Sequence, residues 1–220
     1  MNDHIPLLEA RKMETYLDKT LLERGPDGIG ITGKPGSTKA RIERAALKLF
    51  AAQGVDGVSI KEIARACDIS DGAMYRHFDS KESLAHTLFQ AIHANLLAML
   101  QENVSPHDGL EATVRAMVTA YCELAEQDPA AFAYHLTARN TVLARAGDGG
   151  ADPSSLMARR IEAAMGAGDI PKGDPELKSA MALGVVMQAA EYRLYGRITT
   201  PLTDLIDTFT DGVMAVLKAA

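Results

Sequence analysis

From Thr38 to Gln53 the apolar positions Ile42, Ala45, Ala46, Leu49 and Phe50 recur on one helical face, and Gly54 closes the run. Ser59 opens a second helix: its side chain is placed to cap the first-turn amides while Glu62 reaches back, and Ile60, Ile63, Ala64 and Cys67 form the buried stripe. Ser70 caps a third, which buries Met74 and Phe78 one turn apart. Short helices with matched apolar faces predict a small bundle that is marginal alone. A long helix follows from about Lys81 to Asn103, then others near 108–126, 129–145, 153–166, 175–196 and 201–218. Several starts pair a capping residue with proline at the first helical position, as in Asp128-Pro129, Asp152-Pro153, Asp174-Pro175 and Thr200-Pro201. Gly147-Asp148-Gly149-Gly150 and the stretch Gly166 to Gly173 read as loops. No apolar pattern of period two occurs, aromatic residues make up only 5%, and the expected fold is all-α.

Residues 1–36 stand apart. Met13, Leu17 and Leu21 suggest an amphipathic helix ending at Gly25-Pro26, followed by the Gly/Pro-rich run DGIGITGKPGS, read as a flexible tether. Gly28, Gly30 and Gly33 match G-x-G-x-x-G, and Gly28 to Lys34 nearly matches a phosphate-binding loop. The context fails on both counts. No strand precedes the glycines, Pro35 stands where a magnesium-binding Ser or Thr belongs, and Pro35-Gly36 stops a helix from starting beside the phosphate.

Charge refines this picture. The chain is acidic overall, at -6, which argues against a general polyanion binder. Residues 37–90 carry eight Lys/Arg against seven Asp/Glu, net +1, whereas residues 91–220 carry ten against sixteen, net -6. Lys34, Lys39, Arg41, Arg44 and Lys48 stand against Glu43 alone, a small basic cluster at the first helix. Cys67 and Cys122 lie far apart in apolar helical contexts and suggest neither a disulfide nor a zinc site. No apolar run is long enough to span a bilayer, and the N-terminal MNDHIPLLEARKMETYLDK is too charged for a secretory segment, so the expected location is the cytoplasm.

Two capped helices separated by a break at Asp68-Ile69 form a helix-turn-helix pattern, whose second helix enters the DNA major groove. With Met74 and Phe78 inward, Asp71, Gly72, Ala73, Tyr75, Arg76 and His77 face out. Gly72 and Ala73 keep that surface low for close approach to a duplex. Arg76 suits guanine or phosphate, and Tyr75 and His77 suit phosphate. The alternative is a helical hairpin that only packs, and periodicity alone does not separate the two.

The stretches ARIERAALKLFAAQGVDGVSIKEIARACDIS and DGAMYRHFDSKESL resemble the DNA-binding region of the tetracycline-repressor (TetR) family of bacterial transcriptional regulators, from Thr38 to about Phe89. The resemblance implies three N-terminal helices for double-stranded operator DNA and a larger C-terminal helical domain for ligand binding and dimerisation. It points to Ser59, Ser70, Gly72, Ala73, Tyr75, His77 and Lys81 as DNA-facing, beside Lys39, Asp71 and Arg76 from the residues themselves. Two departures stand out. Cys67-Asp68 replaces the family's usual Ala-Gly, which predicts a slightly strained but intact turn. Asp71 puts a carboxylate at the start of the recognition helix, to accept from a cytosine amino group or, the favoured reading, to stabilise the helix end.

In the C-terminal half the resemblance is one of helix order. Met181, Val185, Gln188, Tyr192 and Tyr195 on one helix, with Leu202, Leu205, Ile206, Phe209, Val213 and Leu217 on the last, form apolar faces that family analogy assigns to a homodimer interface; an intramolecular core is the competing assignment. Met117, Tyr121, Phe132, His135, Met157, Met165 and Met187 suit an adaptable pocket for a small hydrophobic effector, although each also fits plain core. His86 and His93 lack the companions of a metal site, no cofactor is implied, and no nucleophile stands with a base, so no catalytic residue is expected. The expected organisation is an extension over 1–36, a DNA-binding domain over 37–82 and an effector-binding and dimerisation domain over 83–220. The expected function is a ligand-responsive regulator, a repressor released from a palindromic operator; the alternative is a DNA-binding structural factor of the same fold without an effector.

Overall fold

The computed structural model describes residues 28–104, 108–146 and 153–219, and among them every regular element is helical. The helices are α1 (Thr38–Gln53), α2 (Ile60–Ala66), α3 (Asp71–Met74), α4 (Lys81–Asn103), α5 (Leu110–Gln127), α6 (Pro129–Ala146), α7 (Pro153–Ala167), α8 (Pro175–Leu194) and α9 (Ile206–Lys218). A 3-10 turn, Leu202–Leu205, precedes α9, so the start expected at Thr200-Pro201 becomes a tighter turn before the α-helix proper. The helix expected around Met13, Leu17 and Leu21 and the loop Gly147–Gly150 lie outside the described residues.

Local signals explain the starts. Ser37 accepts from the Ala40 amide at 3.2 Å and Ser80 from the Ser83 amide at 3.0 Å. Asp128 accepts from Ala131 at 3.1 Å and Asp174 from Glu176 at 2.9 Å, each with proline as the first helical residue.

Two compact units result. Of the described residues, the first takes 28–95, 127–146 and 194–196, and the second 96–104, 108–126, 153–193 and 197–219. In the first, Ile42, Leu47 and Phe50 of α1 share a core with Ile63, Met74, Leu84, Leu88 and Phe89. Phe50 meets Tyr134 of α6 with ring centroids 5.8 Å apart, and the Tyr134 hydroxyl donates to the Ala85 carbonyl at 2.7 Å. Burial pushes that hydroxyl's pKa well up, so it stays a donor. In the second unit the core includes Val114, Ile161, Val186, Phe209 and Leu217. Buried Lys178 donates to the Leu217 and Ala219 carbonyls at 3.2 and 2.9 Å, satisfying the C-terminal end of α9.

The expected flexible tether is a packed strap over its described part. Thr32 and Gly33 donate their amides to Glu43, both at 2.8 Å, and Ile29 donates to Asp128 at 3.0 Å. Composition suggested flexibility, but fixed acceptors elsewhere in the fold bind this backbone down.

Candidate nucleic-acid interface

The helix-turn-helix is built by caps. Ser59 accepts from the Glu62 amide at 3.3 Å, while the Glu62 carboxylate accepts from the Ser59 amide and hydroxyl at 2.7 Å each. Both halves of the capping box are therefore formed. The Ser59 hydroxyl, one of the expected DNA contacts, is engaged in this cap. Those bonds, the hydroxyl's first, hold the Glu62 carboxyl below the usual glutamate pKa. At the far end of α2 the Asp68 amide bonds to the Arg65 carbonyl at 3.1 Å and the Ile69 amide to the Ala64 carbonyl at 3.0 Å, a Schellman closure. Asp68 occupies its left-handed position with φ of +53°. The turn is intact, with aspartate in the place where Gly168 closes α7 by the same pair of bonds at φ of +84°.

Ser70 then caps α3 through the Ala73 amide at 3.2 Å. Met74 and Phe78 are buried, fixing which face turns outward. That face exposes Ser70, Asp71, Gly72, Tyr75, Arg76 and His77, with Ala73 and Lys81 half-buried. Tyr75 is 55% exposed, unusual for so large a ring. A low, small-residue start followed by phenol, guanidinium and imidazole can approach a groove and donate to phosphates and base edges.

The basic cluster at α1 is smaller than its sequence count. Arg44 is buried and pairs with buried Asp128 at 2.6 Å, so it is a structural cation. Burial and then the Arg44 charge lower the pKa of Lys48, with Asp128 acting in the opposite direction. Arg41 reaches the Cys67 carbonyl, and Cys67 Sγ stands 3.4 Å from the Arg41 carbonyl, tying α1 to α2. Lys39 lies 3.7 Å from Glu43 and 6.0 Å from the Phe78 ring centroid. Lys34 is exposed just ahead of α1.

The seven expected effector-pocket residues are dispersed. Met117, Tyr121 and Met157 line one cavity of the second unit with Val114, Ser179 and Val213. Met165 is buried in the same unit away from that lining, and Met187 is half-buried on α8. Phe132 and His135 belong to the first unit, where His135 stacks on Phe89 at 5.1 Å and its Nε2 lies 3.3 Å from His93 Nδ1. The free space within the cavity is about 30 Å³, room for a water-sized group. Ser179 went unread in the sequence and Val213 was assigned to the dimer face, because helical spacing marks a buried face without saying whether it borders a void.

On the expected dimer faces, Leu202, Phe209, Val213 and Leu217 are buried inside the second unit. On α8, Gln188 is exposed, Met181 is 48% exposed, and Leu177, one turn earlier, is 58% exposed. Among the described residues no group of three or more His, Cys, Asp or Glu gathers as metal ligands, and no helix is long and apolar enough to cross a membrane.

Residues 42–88 match the family described as bacterial regulatory proteins, tetR family. The HTH-type transcriptional repressor KstR2 of Rhodococcus jostii (strain RHA1) is 31% identical over 110 residues, which are 50% of this chain and 53% of that one. The HTH-type transcriptional regulator TcmR of Streptomyces glaucescens is 35% identical over 88 residues, 40% of this chain and 39% of the other. The chain thus spans about half or less of the length of these curated relatives. In fold it is similar to the ketosteroid transcriptional regulator KstR2 of Mycobacterium tuberculosis, with a TM-score of 0.68 over 86% of this chain and 100% of that one at 16% identity. The capped helix-turn-helix thus lies within a module of the tetR family of bacterial regulatory proteins at residues 42–88, and the fold around it is similar to that of KstR2.

Proposed function

We propose that the chain is a cytoplasmic, homodimeric regulator that binds a palindromic operator and releases it when a small, largely apolar molecule enters the second unit. The observation that carries this reading is the outward face of α3: small residues at its start, then Tyr75, Arg76 and His77 exposed on a backbone locked by two caps and a Schellman turn. Lys34, Lys39 and Lys81 supply phosphate contacts around it, and a second copy doubles them. Ser70, Asp71, Gly72 and Ala73 form the approach surface, and Ser59 acts by fixing α2. The acidic C-terminal half weakens non-specific binding and favours selectivity.

The effector is assigned to the cavity lined by Met117, Tyr121 and Met157, with Met165 and Met187 as further adaptable surface. Its apolar character agrees with the ketosteroid regulator among the similar folds. Drug-sized ligands occupy about 300–1,000 Å³, so the effector enters by displacing methionine side chains. Phe132 and His135 are assigned to the core of the first unit. The reading is of a regulator and not an enzyme, in keeping with the named relatives.

The test is binding to the DNA upstream of the chain's own gene, by mobility shift and footprint across a salt series. A symmetric protected site with strong discrimination is expected; weak, sequence-indifferent binding there and to duplexes selected from a random pool overturns the reading. Arg76→Ala is expected to weaken operator binding by about 1–3 kcal/mol and relax preference at one base pair if it reads guanine, or to weaken all sequences alike and reduce the salt slope by about one if it holds phosphate. Unchanged affinity removes Arg76 from the interface. The small free space in the cavity favours one rival, a DNA-binding factor without an effector. Saturable binding of an apolar compound that lowers operator affinity excludes it.

A further inference from the structure

The G-x-G-x-x-G run does not cradle phosphate, and the fold gives it another task. Its backbone ends on two carboxylates that are almost wholly buried. Glu43, 0% exposed, accepts the Thr32 and Gly33 amides on one oxygen and the Thr32 hydroxyl on the other, the last at 2.5 Å. Asp128, 2% exposed, accepts the Ile29 amide on the oxygen that also pairs with Arg44. Buried carboxylates are tolerated only when their lone pairs are filled, so the strap is part of what makes these two acceptable inside the unit.

The glycines meet the same surface from the other side. A Cβ on Gly28 would stand 2.5 Å from both Arg44 Nη1 and Asp128 Oδ2. One on Gly30 would overlap Ile92 of α4, at a φ of +84° that already favours glycine, and one on Gly33 would overlap the backbone of Ala40 in α1. The glycine spacing is therefore that of a strap seated on α1, α4 and the cap of α6 together. Through Arg41 and Cys67, α1 is in turn bonded to α2.

We infer that residues 28–33 are a latch on the DNA-binding unit. Docked, the latch holds α1 against α4 and the α6 cap and so sets the pose of the helix-turn-helix. Released, it leaves Glu43 and Asp128 short of donors and loosens α1. Thr32 is the exposed handle: a negative charge placed there stands against Glu43 and expels the strap. The consequence for DNA rests on the operator reading above.

The test is hydrogen exchange on the full chain and on Thr32→Glu, together with affinity for a duplex that the unaltered chain selects from a random pool. In the variant the strap amides and the first two turns of α1 are expected to exchange at least tenfold faster, α8 and α9 unchanged, with duplex affinity down at least tenfold. A strap that loses protection while α1 keeps its own and the duplex binds as before overturns the latch, as does a strap unprotected in the unaltered chain. Should Thr32→Glu lose its helical circular dichroism, Gly30→Ala carries the same comparison from the apolar side. If the unaltered chain selects no duplex, the operator reading fails, and the exchange of α1 alone decides the latch.

Discussion

Asp68 holds a left-handed backbone at φ of +53° in the turn on which the recognition helix depends. The cost to a residue with a Cβ is about 1 kcal/mol, reduced for aspartate by local hydrogen bonding. Asp68→Gly is therefore expected to stabilise the chain by up to about 1 kcal/mol, read as a higher urea midpoint at unchanged slope; an unchanged or lower midpoint would show that the aspartate side chain offsets the strain. Arg44 and Asp128 present a larger effect. Removing one partner of a buried pair leaves a bare charge and costs about 3–5 kcal/mol, whereas replacing both by apolar residues of similar size is nearly neutral. Asp128→Ala should accordingly lower stability by several times more than Arg44→Met combined with Asp128→Leu, and equal losses would refute the charge argument. The turn was legible because its residues are neighbours. The pair was not: its members lie 84 positions apart, and counting charge along the chain left Arg44 in the basic cluster of the first helix.

At the scale of elements, the helices followed from capping residues that act within three positions, so Ser59, Ser70, Asp128 and Asp174 marked starts correctly. The strap was misread for the converse reason. Its acceptors are 10, 11 and 99 positions away, and glycine content alone does not distinguish a loose segment from one pressed against its neighbours. The α2 capping box has a pH signature. Because Ser59 lowers the folded-state pKa of Glu62, the contribution is fully present above the ordinary glutamate value and is lost as pH falls through the lowered one. Glu62→Gln should therefore lessen the acid destabilisation of the chain, while Ser70→Ala, which removes a neutral cap, should cost about 1 kcal/mol with no such dependence. Parallel stability-versus-pH curves for the unaltered chain and Glu62→Gln would count against the carboxylate's role in the cap.

For the whole molecule, burial divides what periodicity joined. Phe209, Val213 and Leu217 recur on one face of α9 as an interface stripe would, yet they fill the second unit, because a helix pattern records that a face is covered and not by which chain. On α8, Leu177 and Met181 remain exposed one turn apart, an apolar patch of the kind that marks association. If two copies meet there, placing charges on both should separate them without unfolding either, since neither side chain supports the monomer's core. Leu177→Glu with Met181→Glu is expected to sediment as a monomer with unchanged helical circular dichroism. The same variant tests the proposed operator geometry. Two recognition helices held about 34–36 Å apart engage successive major grooves, and each brings its own phosphate contacts, so the slope of log affinity against log salt should fall to about half in the monomer. A variant that still sediments as a dimer moves the interface to another face; one that becomes monomeric yet keeps the full salt slope shows that a single copy makes all the phosphate contacts.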